Sequence, residues 1–146
     1  MDKRRHNPYF RKLLVGFDGS THAEKAADVA MELAECLDVE ILLLAVARLP
    51  EPATIVEVDA MLDDAREHYA TAFEALMEKA KQRHLGMTTD IAVGHPAEQI
   101  IRRAEAGGFD LVLLGHRGTS MFEKLIMGSI SERVLKYAHC PVMIVR

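Results

Sequence analysis

The sequence predicts a three-layer, doubly wound α/β domain, in which helices cover both faces of a parallel sheet. Five short apolar runs alternate with longer segments whose apolar residues recur every three or four positions. Such an alternation of strands and helices favours parallel pairing through right-handed crossovers. The length of 146 residues suits one domain of about 150 residues. We therefore expect five parallel strands with two helices on each face.

The predicted strands share a short apolar run that is closed by a turn or a loop, as is typical of strands buried on both faces. They are residues 12–18, 39–47, 87–93, 110–115 and 141–145. The third run, MTTDIAV, is more polar than the others. This composition favours a position at an edge of the sheet.

The predicted helices fill the segments between these strands. The first begins at Ser20 or Thr21 and has a face of alanines, which allows it to lie close to the sheet. A Ser/Thr-x-x-Glu pattern predicts a capping box at the start of two helices, formed by Thr21 with Glu24 and by Ser129 with Glu132.

Glycines predict where the second and third helices end. The second helix is long, follows the proline-containing loop 48–52, and is expected to end near His84 with Gly86 as its stop. The third helix is expected to end at Gly107 and Gly108.

The charge balance bears on partners and location. The chain has 18 Lys+Arg against 22 Asp+Glu, a net charge of −4, and this disfavours nucleic acid because phosphate neutralisation needs a basic face. Basic residues gather in 1–11, which we expect to be a flexible, solvated arm before a single domain over 12–146.

No apolar stretch approaches the roughly 18–20 residues that span a bilayer. We expect a cytoplasmic protein without a membrane partner.

Neither cysteine nor histidine spacing points to a site. Cys36 and Cys140 are too few for a disulfide framework, and the seven histidines show no metal-ligand spacing. The sequence therefore predicts no protein metal site.

Two segments at predicted carboxyl ends of strands carry the functional signal, because ligands of doubly wound sheets bind there, where the strand order reverses. Residues 16–20 (GFDGS) follow the first strand, and the glycine-framed segment 115–129 follows the fourth. Glycine allows the backbone to approach a ligand closely. The helix that opens at Gly128 and Ser129 presents free N–H groups and a positive dipole end to an anion. We expect a phosphate chain to bridge the loop and the helix start.

Other nucleotide and phosphate motifs of α/β domains do not fit. A receiver domain needs an acidic cluster and an aspartate after the third strand, where Gly94 and His95 stand. A P-loop needs GxxxxGK[ST] and a dinucleotide fold needs GxGxxG, and neither motif follows the first strand. A flavodoxin-like FMN site would need a hydroxyl-rich phosphate loop after the first strand, where only Gly19-Ser20-Thr21 is available.

The sequence resembles the universal stress proteins, and in particular their ATP-binding branch. Gly115-x-x-Gly118, nine residues and then Gly128-Ser129 match the GxxG-x9-G[ST] motif of that branch. The runs VGFDGS at 15–20 and CPVMIV at 140–145 resemble the opening and closing strands of the family. The resemblance covers residues 12–146 and implies a Rossmann-like fold of the adenine-nucleotide α-hydrolase type.

The resemblance implies a site for ATP with Mg²⁺. Asp18 and the backbone of Gly16 would face the nucleoside, with Asp18 touching the ribose or a metal-bound water, and the backbone of Val46 would meet the adenine edge. The remaining positions would lie along the ribose and phosphates, with helix-start donors at the last four: Gly115, Arg117, Gly118, Gly128, Ser129, Ile130 and Ser131. No catalytic residue is assigned.

Three functional hypotheses remain. The first is an ATP-responsive regulatory module of the stress response, read by a regulatory protein partner of unknown identity. The second is a weak Mg²⁺-dependent ATPase that uses Asp18 and the glycine loop, although no second acid and no lysine complete such a site. The third is a purely structural dimer with an empty crevice, which the complete motif disfavours. The resemblance also implies a homodimer that pairs through the C-terminal strand Val142–Val145.

Overall fold

The computed structural model describes residues 8–49, 54–116 and 128–146, and in these ranges strands and helices alternate without interruption. The strands are β1 (Lys12–Gly16), β2 (Glu40–Ala47), β3 (Met87–Val93), β4 (Leu111–Gly115) and β5 (Val142–Val145). The helices are α1 (Thr21–Leu37), α2 (Ile55–Gln82), α3 (Pro96–Ala106) and α4 (Ser129–Tyr137). Most of the predicted basic arm lies outside the described residues.

The five strands form one sheet in the order β3-β2-β1-β4-β5, and every neighbouring pair is parallel. From β1 the chain moves outward through β2 to β3, and it then returns to the other side of β1 to add β4 and β5. The order therefore reverses between β1 and β4, which is the position where doubly wound sheets bind ligands. The polar strand β3 lies at an edge, as the sequence predicts.

The two faces of the sheet are each covered by two helices, which confirms the predicted three layers. Successive residues of β1 point to opposite faces, so Leu13 and Val15 join the core beneath α1 and α2, whereas Leu14 joins the core beneath α3 and α4. All three side chains are fully buried. Both cores thus meet at the central strand, and its carboxyl end is held rigidly.

Helix α1 lies close to the sheet because its inner face is built from small side chains. Ala23, Ala26, Ala27, Ala30 and Ala34 are all buried in the core shared with α2. This close approach brings the first turn of α1 next to the carboxyl end of β4.

The predicted capping boxes of α1 and α4 are wrong. The N-cap of α1 is Ser20, whose Oγ accepts a hydrogen bond from the Ala23 N–H at 3.1 Å, so Thr21 is already the first helical residue. The N-cap of α4 is Gly128, which has no side chain to accept a bond. In both helices the Ser or Thr that begins the Ser/Thr-x-x-Glu pattern lies one residue after the actual N-cap.

Helix α2 has the capping box that the sequence analysis did not identify, and its end also differs from the prediction. The Thr54 side chain accepts from the Glu57 N–H while the Glu57 carboxylate accepts from the Thr54 N–H. At the other end, His84 rather than Gly86 adopts the left-handed conformation, with φ of 57°. The His84 N–H donates to Lys81 and the Leu85 N–H to Ala80, at 3.1 and 2.9 Å, which is the Schellman pattern.

The length of α2 positions the site. Its 28 residues extend about 42 Å at 1.5 Å per residue. The helix is therefore much longer than the strand β2 before it, which has eight residues. Among the described residues, the members of α2 in the core begin at Tyr69 and continue to Ala80. The turn that carries His68 and Tyr69 therefore lies beside the carboxyl edge of the sheet. No helix within the described ranges is both long and apolar enough to cross a membrane.

Candidate functional site

A cavity of about 390 Å³ opens at the carboxyl edge of the sheet, where the strand order reverses. Its volume lies within the roughly 300–1,000 Å³ that is typical of small-molecule sites. The ends of β1, β2 and β4, the first turn of α4 and the middle of α2 form its walls.

The structure brings together eight of the ten residues that the sequence analysis assigns to nucleotide binding. These line the cavity: Gly16, Asp18, Val46, Gly115, Gly128, Ser129, Ile130 and Ser131. Arg117 and Gly118 lie outside the described residues. Residues far apart in the chain thus share one crevice.

The carboxylate of Asp18 is held in place by its own loop. The Ser20 N–H donates to Asp18 Oδ1 at 2.9 Å, and Ser20 in turn caps α1. One step earlier, the Phe17 N–H donates to the Leu44 carbonyl at 2.9 Å and extends the pairing of β1 with β2. The side chain of Asp18 therefore projects into the cavity from a backbone that is fixed on both sides.

The start of α4 forms the opposite wall. Since Gly128 is the N-cap, the N–H groups of Ser129, Ile130 and Ser131 begin the helix without intrahelical acceptors and carry the positive end of its dipole. The N–H of Gly128 differs from the sequence expectation, because it donates to the His116 carbonyl at 3.1 Å. Three of the four expected backbone donors are therefore available to an anion, and the fourth connects Gly128 to His116.

Ser131 also differs from a simple ligand-binding residue. Its hydroxyl donates to the Gly115 carbonyl at 2.9 Å, and the residue is only 6% exposed. The side chain of Ser131 thus fastens α4 to the end of β4, and its backbone N–H is the group that the helix start offers to a ligand.

Packing requires a glycine at position 115 and leaves little room for a side chain at position 16. A Cβ on Gly115 would lie 2.7 Å from the carbonyl carbon of His22 and 2.9 Å from the Ala23 nitrogen, both in the backbone of α1. A Cβ on Gly16 would collide with the Leu114 side chain and lie 3.1 Å from Ile100 Cδ1. At Gly115 the absence of a side chain therefore serves the close packing of α1 against β4.

A further wall of the cavity, not predicted from the sequence, is built by α2 and by the end of β2. His68 and Tyr69 from α2 line it together with Arg48, which follows β2. Tyr69 stacks on Phe73 with ring centroids 5.6 Å apart, and His68 packs edge-on against Tyr69 at 4.8 Å. The sequence contained one signal for this wall. Tyr69 lies in the apolar stripe of its helix, and its hydroxyl needs a polar partner there.

The electrostatics link Tyr69 to Asp18. Burial of the ring raises the pKa of the Tyr69 hydroxyl, and the negative charge of Asp18 raises it further. The hydroxyl therefore remains protonated at neutral pH and can donate a hydrogen bond.

Within the described ranges, no group of three or more histidine, cysteine, aspartate or glutamate side chains could hold a metal ion. Asp18 is the sole acidic residue among the described residues that line the cavity. One carboxylate suits an ion that is held mainly by the phosphates of a ligand.

Comparison with known proteins gives the family. The model of the universal stress protein family matches residues 9–146. The chain is 33% identical over 147 residues to universal stress protein YxiE of Bacillus subtilis, covering 94% of this chain and 99% of that protein.

Solved structures share the fold. Universal stress protein UspA from Lactobacillus plantarum has a TM-score of 0.79 at 23% identity, covering 96% of this chain and 100% of that one. A universal stress protein in complex with cAMP has a TM-score of 0.74 at 19% identity, covering 94% and 98%. The Arabidopsis thaliana family protein At3g01520 with AMP bound has a TM-score of 0.67 at 20% identity, covering 92% and 90%. With its sheet order, its switch-point cavity and these matches, this chain belongs to the universal stress protein family.

Proposed function

We propose that the chain binds ATP, together with Mg²⁺, in the carboxyl-edge cavity and acts as a nucleotide-responsive regulatory module of the stress response in the cytoplasm. The observation that carries this proposal is the pairing of two unlike walls across one cavity. The start of α4 offers backbone donors to phosphates. Facing it are a strand end at Val46 and the carboxylate of Asp18, which suit a nucleoside.

The phosphates would lie against the N–H groups of Ser129, Ile130 and Ser131. Gly115 would border the ribose and phosphates through its backbone. Arg117 and Gly118 keep the roles that the family motif implies for them. The phosphates would hold the magnesium ion. In nucleotide sites Mg²⁺ usually keeps several waters and binds only one or two protein carboxylates in addition to the phosphates.

Two structural relatives support an adenine nucleotide as the class of ligand. One was solved with cAMP and the other with AMP. Both are 20% identical or less to this chain. The choice of ATP rests on the GxxG-x9-G[ST] motif.

Binding without efficient turnover agrees best with the cavity. Phosphoryl transfer needs a positioned base or water-orienting group together with protein-held metal. The sole acid of the described lining is Asp18. The alternative of a weak Mg²⁺-dependent ATPase would require Asp18 to act on the metal or the water.

We further propose a homodimer that forms through β5 and is read by a regulatory protein. β5 is an edge strand whose four residues are all half-buried. The Pro141 carbonyl accepts a hydrogen bond from the Val112 N–H of β4, and the Val145 carbonyl accepts one from the His116 N–H just after β4. By alternation the backbone groups of Val142 and Ile144 therefore face outward. A second copy related by a twofold axis would satisfy both edges.

Isothermal titration calorimetry with Mg-ATP on a matched pair of variants tests the site. Ser129→Pro removes one backbone donor at the first helical position, where proline is well tolerated. The backbone of the preceding Gly128, with φ of −59° and ψ of 148°, also accepts a following proline. Ser129→Ala removes the same hydroxyl and keeps the donor.

We expect the wild type and Ser129→Ala to bind one ATP per chain, and Ser129→Pro to bind about tenfold more weakly. Equal affinity of the two variants would contradict the proposed phosphate wall.

A further inference from the structure

Two polar groups at the nucleoside end of the cavity lack hydrogen-bond partners in the described part of the chain. Asp18 Oδ1 is engaged by the Ser20 N–H, whereas Oδ2 accepts no bond there. The hydroxyl of Tyr69 likewise makes no hydrogen bond within the described ranges. Half-buried polar groups that line a cavity are normally satisfied by water or by a ligand.

Both groups are held in position before any ligand arrives. The ring of Tyr69 is fixed by Phe73 at 5.6 Å and by Phe17 at 6.1 Å between centroids. Its Cε1 atom would lie 3.9 Å from a Cβ on Gly19. Because Cε1 adjoins the carbon that bears the hydroxyl, the polar end of Tyr69 lies beside the loop that carries Asp18.

The chemistry of the pair selects a ligand group. A carboxylate only accepts hydrogen bonds, and a phenol both donates and accepts one. Two neighbouring hydroxyls on a ligand satisfy both at once, since one donates to the carboxylate and the other exchanges a bond with the phenol. A lone hydroxyl satisfies one group and leaves the other unpaired or bonded to a water, which lowers the affinity.

We propose that Tyr69 and Asp18 together recognise the vicinal diol of a ribose, so that the cavity selects ribonucleotides over deoxyribonucleotides. This inference rests on the proposed nucleotide site and assigns to α2 a specificity-determining residue. It also assigns Asp18 to the sugar rather than to a metal-bound water.

Calorimetry with ATP, 2′-deoxy-ATP and 3′-deoxy-ATP on the full chain tests the inference. We expect the wild type to bind at least one deoxy analogue about tenfold more weakly than ATP. Tyr69→Phe keeps the ring and removes only the hydroxyl. We expect it to weaken ATP binding about 3- to 10-fold and to reduce the penalty for one deoxy analogue by a similar factor.

Tyr137→Phe is the matched control, because Tyr137 is 59% exposed and does not line the cavity. We expect this control to bind all three nucleotides as the wild type does. If Tyr69→Phe binds ATP as the wild type does, or keeps the full penalty for both analogues, the inference is wrong and the proposed ATP site is unaffected. If the wild type binds none of the three, the proposed function and the inference fail together.

A second measurement separates the sugar from the metal. Asp18→Asn keeps the shape of the side chain and removes its charge. If Asp18 binds the diol, the loss of affinity for ATP is the same with Mg²⁺ and with a chelator. A loss that is seen only with Mg²⁺ would overturn the assignment of Asp18 to the sugar.

Discussion

The hydroxyl of Ser131 donates a hydrogen bond to the carbonyl of Gly115 at 2.9 Å and thereby ties the start of α4 to the end of β4. This bond joins the two parts of the glycine motif, which are separated in the chain by residues 117–127. The Gly128 N–H also donates to the His116 carbonyl, so two hydrogen bonds connect the start of α4 with the end of β4 and the residue after it. The helix start is therefore preorganised by the protein itself.

Ser131→Ala should lower the free energy of unfolding by about 1 kcal/mol, because it removes a part-buried hydrogen bond that the Gly115 carbonyl accepts. Urea unfolding measures the change. Ser129→Ala is the control, and since Ser129 is exposed we expect a change within about 0.5 kcal/mol. Equal stability of Ser131→Ala and the wild type would show that the bond does not hold the two elements together.

Gly115→Ala should destabilise the chain by about 3 kcal/mol, because the new methyl group meets the backbone of α1 at His22 rather than a flexible side chain. Gly86→Ala is the matched control. A Cβ on Gly86 lies 3.9 Å from Glu40 Cγ, an ordinary contact, and Gly86 is outside the left-handed region. We expect its stability to be unchanged or higher by up to about 1 kcal/mol. Similar thermal unfolding of the two variants would contradict the packing explanation.

Stability at alkaline pH should report on Tyr69. Its pKa is raised in the folded state, first by burial and then by the charge of Asp18. The folded chain therefore retains a proton that the unfolded chain loses, so the contribution is complete below the ordinary value of about 10 and disappears as the pH rises through the folded pKa. The wild type should lose stability relative to Tyr69→Phe above about pH 10.

The ultraviolet titration of tyrosinate gives the same pKa directly, with Tyr69→Phe subtracted to isolate the residue. Asp18→Asn removes the smaller of the two causes, so the pKa of Tyr69 should fall towards its ordinary value and remain raised by burial. No change in Asp18→Asn would place the carboxylate farther from the phenol than we infer.

The proposed dimer predicts a difference between the two edges of the sheet. Met143 is half-buried and packs against the core beneath α1 and α2. Met143→Lys adds a charge to β5 there and, in a twofold dimer, brings two lysines near the shared edge. Thr88→Lys adds the same charge at an exposed position of β3, the opposite edge. Sedimentation should show a dimer for the wild type and Thr88→Lys and a monomer for Met143→Lys, with circular dichroism confirming that both variants fold. Dissociation of Thr88→Lys alone would place the interface at β3.

The order of elements and the edge position of β3 could be predicted because each depends on local composition. A strand buried on both faces must be apolar throughout, and MTTDIAV is not. The residues of the loop after β1 could also be found, since every carboxyl end of a parallel sheet meets at one edge. Their role in binding remains a prediction.

The aromatic wall could not be predicted, because it depends on how far α2 extends past the sheet. Tyr69 lies in an apolar stripe that continues towards Phe73 and the core. Its hydroxyl indicates a polar partner, but it does not tell whether that partner lies in the core or in a cavity. The helix caps were misplaced for a related reason. A pattern such as Thr21-x-x-Glu24 fixes spacing, whereas the actual cap depends on where the preceding loop turns, here at Ser20.

The most direct test of the nucleotide site is to purify the chain without added nucleotide, denature it, and identify any released small molecule by chromatography and mass spectrometry. Ser129→Pro prepared in the same way is the comparison. The proposed function predicts ATP close to one per wild-type chain and much less in the variant. ADP in place of ATP would favour the ATPase alternative. No nucleotide in either preparation, with no thermal shift of the wild type in excess Mg-ATP, would contradict the ATP site.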